Sequence, residues 1–180
     1  MRIDLEGDDV SHVHGIPSES PFASLSDDER RAWFAYMKLQ LRLRYEMNRQ
    51  LQADSGISLA DYDVLVALTS EQSGTMTMSA LATRIGWERS RTSHHAKRMG
   101  ARALLELSPS PDDRRMTRVA LTTEGWAVLR AATPGHVDLV RAMFFSDLDP
   151  AALATLSDSL ERAYETVIEH GTLPRPEDHP

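Results

Sequence analysis

The pattern of apolar and polar positions near the N-terminus predicts one long helix from residue 26 to about residue 53. Ser26 and Glu29 have the spacing of a capping box, and the acidic residues between them suit the positive end of the helix dipole. Apolar side chains occur on more than one side of the helix, namely Trp33, Phe34, Tyr36, Met37, Leu39, Leu41, Leu43, Tyr45, Met47 and Leu51. Such a stripe is broader than one packing surface requires, so we expect burial against another subunit.

Shorter periodic segments follow in the middle of the chain. Ser58 and Asp61 offer a second capping pattern for a helix that is expected to reach Ser70, and EQSGTMT after it is expected to be a loop. TMSALATRIG predicts a short helix that Gly86 ends, and a second helix is expected to start near Glu88. A short helix, a glycine turn and a polar helix together indicate a helix-turn-helix.

The rest of the chain predicts a β-hairpin and two more helices. LLELS and TRVALT are strand candidates on either side of a turn that is rich in Pro, Asp and Arg. TTEG begins a helix that is expected to break or kink at Pro134. Asp149 and Pro150 predict the start of the last helix, which ends at Gly171. Its apolar stripe is Leu153, Leu156, Leu160, Ala163 and Val167.

Composition narrows the class of protein. The 180 residues carry a net charge of −7 and include no cysteine, which excludes a disulfide framework and a thiolate metal site. No run approaches the roughly 18 apolar residues of a membrane span, so no membrane partner is predicted. Residues 1–25 are expected to form a flexible arm, and because they lack an apolar signal core we expect a cytoplasmic protein.

Positive charge is concentrated in one segment of this acidic chain. From Arg84 to Arg118 there are nine Arg or Lys residues against four Asp or Glu residues, a local balance of +5. Clustered cations suit phosphate binding, because each neutralised phosphate releases condensed counterions. A solvated charged surface is the alternative that composition alone leaves open.

The helix over residues 88–102 is the candidate reader of DNA bases. Its N-terminal half is dense in hydrogen-bonding side chains that are expected to be exposed and to suit the major groove. The hairpin tip over residues 108–118 would place an arginine in the minor groove, and Asp113 is expected to hold the Arg115 guanidinium in one rotamer. The candidate DNA-binding residues are Arg84, Arg89, Ser90, Arg91, Thr92, Ser93, His94, His95, Lys97, Arg98, Asp113, Arg114, Arg115 and Arg118.

The order of these motifs resembles the MarR family of bacterial transcription regulators over roughly residues 26–170. The most specific part is formed by Asp113, Arg115, Leu121, Thr122, Glu124 and Gly125. The resemblance implies a mainly α fold with a small β-hairpin wing, that is, a winged helix-turn-helix with N- and C-terminal dimerisation helices. It implies that Arg115 enters the minor groove, that Asp113 orients it, and that the protein is an obligate homodimer. It also implies, in many members, a small ligand that alters DNA affinity.

Three positions depart from the usual pattern of that family. Gly100 stands where an acidic or similar residue is usual, Ala103 where Gly is usual, and Leu107 where Arg or a polar residue is frequent. Ala103 is the less favourable residue if a left-handed conformation is needed there, by about 1 kcal/mol. These departures bear on how the wing is attached rather than on the fold.

The resulting hypothesis is a dimeric regulator, a repressor, that binds a pseudo-palindromic operator in double-stranded DNA. Residues 26–56 and 124–171 are assigned to dimerisation, residues 57–123 to DNA binding, and residues 172–180 to a tail. Trp33, Tyr36, Met37 and Tyr62 are candidates to line a pocket for a small aromatic or amphipathic effector, with ordinary core packing as the alternative. No cofactor is predicted.

Rival functions remain open at this stage. A metal-responsive regulator is disfavoured because His94 and His95 point about 100° apart on a helix, and His12 and His14 lie in the expected arm. An enzyme is disfavoured because the chain lacks the common catalytic and phosphate-binding motifs. A helical dimer that serves only as an interaction module would leave the basic segment unexplained.

Overall fold

The computed structural model of the protein describes residues 22–71, 73–111 and 113–176. Its helices are α1 (Asp27–Ser55), α2 (Leu59–Thr69), α3 (Met78–Arg84), α4 (Arg89–Ala101), α5 (Thr123–Val140) and α6 (Pro150–His170), and a π-helical turn (Arg141–Phe145) follows α5. The strands are β1 (Thr75–Thr77), β2 (Leu105–Pro109) and β3 (Thr117–Leu121). The predicted fold class, mainly α with a small hairpin, is confirmed. Most of the predicted arm and the end of the predicted tail lie outside the described residues.

The chain divides within α1 into two units: the first ends at Arg42, and the second begins at Leu43. In the first unit, the predicted capping box starts α1: the Ser26 N–H donates to the Glu29 carboxylate at 2.8 Å, and the Glu29 N–H donates to Ser26 Oγ at 3.3 Å. Trp33, Tyr36 and Leu41 are exposed in this unit. The first unit therefore presents large apolar side chains to its surroundings.

The second unit contains the hydrophobic core. Leu51, Leu65, Leu81, Met99 and Val119 are fully buried, so α1, α2, α3, α4 and β3 all contribute to it. The second predicted capping box is confirmed, because the Asp61 N–H donates to Ser58 Oγ at 3.0 Å and the Ser58 N–H donates to the Asp61 carboxylate at 2.9 Å. This box fixes the start of α2 next to α4.

A three-stranded antiparallel sheet in the order β1-β3-β2 forms the wing and its base. In the predicted hairpin, Leu107 of β2 pairs with Val119 of β3. The prediction that residues 71–77 form only a loop is wrong, because Met76 of β1 also pairs with Val119 and is buried in the core. The edge strand β1 thus ties the hairpin to the start of α3.

The C-terminal helices follow the predicted order with one correction. Helix α5 is not broken at Pro134 but continues to Val140, and Pro134 itself is exposed. A proline within a helix loses one backbone donor, a cost that solvent exposure and packing can offset. Asp149 caps α6 as predicted, since its carboxylate accepts the N–H of Ala152 at 2.8 Å. No helix in the described part of the chain is long and apolar enough to cross a membrane.

Candidate nucleic-acid interface

The turn between α3 and α4 is closed by the backbone. Gly86 has a φ of 67°, its N–H donates to Thr83 O at 3.2 Å, and the Trp87 N–H donates to Ala82 O at 2.9 Å. This pair of hydrogen bonds is a Schellman motif, which needs a left-handed residue and therefore favours glycine. Trp87 follows directly and precedes α4, so the motif fixes where α4 begins.

Helix α4 exposes a cationic and hydroxyl-rich surface. The exposed members of the predicted set are Arg89, Ser90, Arg91, His94, Lys97 and Arg98, and Ser93 is half-buried. The expectation that Thr92 and His95 are exposed is wrong, because Thr92 is 0% and His95 only 9% accessible. The Thr92 hydroxyl donates to Glu88 O at 3.1 Å, and His95 lies beside Asp61. Both residues lie on the side of α4 that packs into the domain.

A buried carboxylate connects α4 with the start of α2. Asp61 is 3% accessible, its Oδ1 lies 3.0 Å from His95 Nε2, and its Oδ2 accepts a hydrogen bond from Arg102 at 2.8 Å. Burial acts to raise the pKa of Asp61, but hydrogen bonds from Ser58 and Arg102 more than offset it and hold the pKa below the usual value. Burial lowers the pKa of His95, against the opposing effect of the Asp61 carboxylate. Sequence reasoning missed Asp61 and Arg102 as a connection between the two helices.

Two of the predicted DNA-binding arginines make contacts inside the domain. Arg84 is half-buried and its guanidinium hydrogen-bonds the Ser70 hydroxyl. Arg118 is half-buried on β3 and donates to Thr75 Oγ1 at 3.3 Å, across to β1. Their positive charge still adds to the potential of this surface, but in the structure one guanidinium nitrogen of each is bonded to these partners.

The tip of the wing exposes Arg114 and Arg115. The Asp113 carboxylate accepts the backbone N–H of Arg115 at 2.9 Å, and the Asp113 carbonyl accepts the N–H of Met116 at 2.9 Å. Asp113 therefore orders the turn through the backbone, whereas the sequence predicted a bond to the Arg115 guanidinium. Among the described residues no side chain pairs with that guanidinium; Asp112, next to the tip, lies outside them.

The geometry of the connection from α4 to the wing accounts for the unusual residues Gly100, Ala103 and Leu107. Ala103 has a φ of 58°, and the bonds from the Ala103 N–H to Gly100 O (2.9 Å) and from the Leu104 N–H to Met99 O (3.1 Å) form a second Schellman motif. A left-handed residue is thus needed at 103, as the sequence suggested. A Cβ on Gly100 would lie 3.0 Å from Leu107 Cδ1, so the Leu107 side chain packs where Gly100 leaves room.

Trp87 touches α4 at two positions. The Arg91 guanidinium carbon lies 4.0 Å from the centre of its ring, and the His95 ring meets it edge-on with centroids 5.3 Å apart. Sequence reasoning missed this residue, although an aromatic residue four positions before an arginine at a helix start is a usable signal.

A cavity of about 320 Å³ opens beside this interface in the second unit. Tyr62, one of the four predicted pocket residues, lines it; the other three, Trp33, Tyr36 and Met37, lie before Arg42, whereas the described lining residues lie between Arg44 and His136. Arg44 and Asp63 form a salt bridge of 3.2 Å at its wall. The His136 ring contacts the Tyr62 ring at an interplanar angle of 46°, with centroids 4.4 Å apart. No periodic pattern or motif in the sequence points to Arg44, Asp63 or His136.

Within the described residues, no group of three or more His, Cys, Asp or Glu side chains is placed to hold a metal ion. His94 is exposed and His95 faces Asp61, so the two rings point to different surroundings. His12 and His14 lie outside the described residues.

A helix-turn-helix with a β-hairpin wing, exposing cations on both α4 and the hairpin tip, defines a winged-helix DNA-binding protein. Comparisons with known proteins identify the family of winged-helix proteins. Residues 55–116 match the model of the MarR family. The chain is 32% identical to Sco3205, a MarR family transcriptional regulator from Streptomyces coelicolor solved in complex with DNA, over 83% of this chain and 97% of that one, with a TM-score of 0.78.

Two further structures are similar to the chain. AbsC, a MarR family transcriptional regulator from Streptomyces coelicolor, is 32% identical over 79% of this chain and 96% of that one, with a TM-score of 0.74. BpsR from Bordetella bronchiseptica, whose DNA binding is regulated by 6-hydroxynicotinic acid, is 25% identical over 71% of this chain and 91% of that one, with a TM-score of 0.60. No curated protein sequence matches the chain significantly. The chain belongs to the MarR family, and it is therefore a DNA-binding transcription regulator rather than an enzyme.

Proposed function

We propose that the protein is a homodimeric repressor that binds a pseudo-palindromic operator, with α4 in the major groove and the wing over residues 108–118 in the minor groove. The observation that carries the proposal is the exposure of cations on two adjacent elements of one unit, Arg89, Arg91, Lys97 and Arg98 on α4 and Arg115 at the wing tip. The bound dimer represses by occupying DNA that RNA polymerase needs.

The chemistry of α4 suits base recognition. Arg89, Ser90 and Arg91 form its first turn and are all exposed, and an α-helix fits the major groove, which is about 12 Å wide. Arginine donors match the two acceptors of guanine, and small hydroxyls permit close approach to phosphates. Lys97 and Arg98, about two turns further along, are available for the DNA backbone.

The wing suits the minor groove for a separate reason. Asp113 orders the tip by accepting the Arg115 N–H, which leaves the exposed guanidinium free of partners among the described residues. A narrow minor groove concentrates negative potential and attracts an inserted arginine. The acidic residue at the tip thus contributes to the turn rather than cancelling the charge of the arginine.

The proposed domain arrangement assigns residues 57–123 to DNA binding, and residues 26–56 and 124–171 to dimerisation. Helix α6 supports it, because Leu153, Leu160 and Val167 are 39%, 50% and 64% exposed and recur every seven residues. Residues at this spacing form one apolar row, the pattern of helices that pack against partner helices. The proposed occupant of this row is a second copy of the chain, whose two α4 helices would enter successive major grooves about 34 Å apart.

The proposal is tested by selecting bound sequences from a random DNA pool and measuring affinity for the selected site. Arg115→Ala should weaken operator binding by about tenfold and reduce the slope of log affinity against log salt by about 1. Arg130→Ala, which removes one exposed cation from α5, should leave both quantities near wild type. Unchanged binding by Arg115→Ala would refute the assignment of the wing.

A small aromatic or amphipathic effector is the second part of the proposal, and the cavity beside α3 supports it. Arg84 and His136 both line this cavity, and in the described structure Arg84 Nε and His136 Nδ1 are buried without a hydrogen-bond partner. Buried polar atoms of this kind are costly unless a ligand, water or ion satisfies them. With apolar walls from Met47, Leu59 and Val66, the cavity suits a small planar acid.

The probe for this second part is 6-hydroxynicotinic acid, the effector of the Bordetella relative. Binding of the probe should raise the melting temperature of the protein and weaken operator binding, and Arg84→Met should abolish both effects. Because the Arg84 charge adds to the potential of the DNA-binding surface, the reference for each variant is its own operator affinity in the absence of the probe. The exposed substitution Arg130→Met serves as the matched control. No thermal shift at millimolar probe would exclude this acid as the effector. A Zn²⁺ titration with the same readouts tests the metal-responsive alternative.

A further inference from the structure

Trp87 is held in a fixed position relative to α3. Its backbone N–H donates to Ala82 O at 2.9 Å, and the preceding Gly86 supplies the left-handed residue that this hydrogen bond requires. The indole is half-buried, so one part packs on the domain while another faces outward. The turn therefore presents an anchored aromatic surface at the N-terminal end of α4.

The two side chains that contact this indole lie one turn apart on α4. His95 meets the ring at an interplanar angle of 89° and is buried, whereas Arg91 is exposed and places its guanidinium carbon 4.0 Å from the ring centre. Residues four apart on a helix share one face. Trp87 thus extends from the core side of α4 to its outer surface.

Stacking restricts a guanidinium without using its hydrogen-bond donors. The donors of arginine lie at the edge of a planar group, and an aromatic ring covers only the face of that group. Among the described residues, Arg91 makes no hydrogen bond or ion pair, so its edge is available to a base or a phosphate. An arginine that is already held in one orientation loses less conformational entropy when it binds.

We propose that Trp87 is a positioning residue for DNA recognition, which holds the Arg91 guanidinium on its indole face so that the arginine donors are presented to base edges. This role rests on the proposed function, because it requires α4 to enter the major groove. Arg89 provides an internal comparison, because it is an exposed arginine in the same turn of α4 that makes no aromatic contact with the described residues.

The test measures affinity for the selected operator and for unrelated DNA of equal length at one salt concentration. Trp87→Leu should weaken operator binding about fivefold, the size expected for losing a cation–π contact, while binding to unrelated DNA changes less than twofold. Trp87→Phe keeps an aromatic face and should retain most of the affinity. Thermal unfolding shows whether each variant is folded.

A double-mutant cycle separates positioning from a purely structural role. In the Arg91→Ala background Trp87→Leu should have little further effect, whereas in the Arg89→Ala background it should still weaken binding about fivefold. An equal effect of Trp87→Leu in both backgrounds would overturn the proposal, as would wild-type operator affinity in the single variant. If Trp87→Leu does not fold, the same cycle is measured with Trp87→Phe. The smaller loss of operator affinity caused by Trp87→Phe should then disappear in the Arg91→Ala background, and a loss that persists in that background would overturn the proposal. Absence of any sequence preference in the wild-type protein would instead refute the proposed function.

Discussion

Ala103 adopts a left-handed backbone conformation immediately after α4, with a φ of 58°. It is the residue of the second Schellman motif that glycine usually occupies, because a Cβ in this region meets the neighbouring carbonyl oxygen. Gly86 fills the equivalent position after α3 with a φ of 67°. The chain therefore contains the same turn twice, once with the favourable residue and once without it.

Ala103→Gly should stabilise the protein. Relief of the left-handed conformation outweighs the added flexibility of the unfolded chain, so the free energy of unfolding should rise by about 0.5–1 kcal/mol. For a chain of this size the melting temperature should rise by about 2–4 °C per kcal/mol, measured at one fixed protein concentration. As the control, Ala127→Gly at an exposed position within α5 should lower the free energy of unfolding by about 1 kcal/mol. A loss of stability in Ala103→Gly would contradict the strain.

His95 should make stability depend on pH in the mildly acidic range. Burial lowers its pKa below 6.5, so below that pH the unfolded chain takes up a proton that the folded protein resists. The free energy of unfolding should therefore fall as the pH decreases from 7.5 to 5.5, by at most about 1.4 kcal/mol per pH unit for one group. His136, whose pKa burial also lowers, should contribute in the same direction.

His95→Gln should reduce this pH dependence, because the amide can still donate a hydrogen bond to Asp61 but does not titrate. Chemical denaturation at several pH values measures the slope directly. His94→Gln changes the exposed neighbour and serves as the matched control. An unchanged slope in His95→Gln would show that His136 or other groups carry the acid sensitivity.

At single residues, the sequence predicted local backbone conformation better than it predicted which side chains face the core. The left-handed residue at 103 and the exposed Arg115 were both predictable, because each depends on local chain geometry. The burial of Thr92 and His95 was not, since a run of polar residues on a helix does not reveal which side packs inward. The contacts of Arg84 with Ser70 and of Arg118 with Thr75 join segments 14 and 43 residues apart. Such tertiary partners leave no mark in local sequence patterns.

At the scale of elements, two glycines allow helices α4 and α5 to pack closely against the chain at the base of the wing. A Cβ on Gly125, in the first turn of α5, would lie 2.2 Å from the Leu104 carbonyl oxygen, which is a backbone atom that cannot move alone. A Cβ on Gly100 in α4 would lie 3.0 Å from Leu107 Cδ1, the flexible end of a side chain. Gly125 belongs to the motif by which the chain resembles the MarR family, and this contact is a physical reason for glycine at position 125 of this chain.

Gly125→Ala and Gly100→Ala should therefore differ in their effect on stability. Overpacking against the backbone should cost Gly125→Ala about 1–3 kcal/mol or more. In Gly100→Ala the gain in helix propensity of about 1 kcal/mol should offset a rotamer change of Leu107 that costs about 0.5–1.5 kcal/mol. Thermal unfolding of both variants under identical conditions measures the difference. Equal losses in the two variants would contradict this account.

Most elements could be predicted because their signals are local. Capping residues marked the starts of α1, α2 and α6, and the flanking strand patterns marked β2 and β3. Strand β1 has only three residues and was missed, because its identity depends on pairing with β3 more than 40 residues later. Helix α5 passes through Pro134 because the surrounding helix tolerates one missing donor, which a local rule does not capture.

At the scale of the whole molecule, charge and apolar surface are separated along the chain. The net charge is −7, yet the segment from Arg84 to Arg118 is positive, so DNA attraction is local and the remaining surface repels DNA. The exposed apolar row of α6 lies outside that segment and none of its helix is buried within the described chain. A helix of 21 residues that buries no side chain gains little stability from packing against its own chain. This supports the proposed dimerisation through the apolar row.

Leu160→Glu should weaken the dimer and, through it, operator binding. The substitution places a charge in the middle of the apolar row, where pairing of two copies would bury it at considerable cost. Sedimentation velocity should show a shift toward monomer at micromolar concentration. Thr155→Glu adds the same charge about 140° away around α6 and should remain dimeric.

The effect of Leu160→Glu on DNA distinguishes a dimer that reads two half-sites from a monomer that reads one. If two α4 helices bind together, loss of the dimer removes the second set of contacts, and operator affinity should fall by a factor on the order of 100 or more. Affinity for a DNA fragment with a single half-site should change little, because α4 and the wing are untouched. Equal losses on the whole operator and on the half-site would mean that the substitution damages the DNA-binding unit itself. A variant that stays dimeric would move the dimer interface away from the row formed by Leu153, Leu160 and Val167.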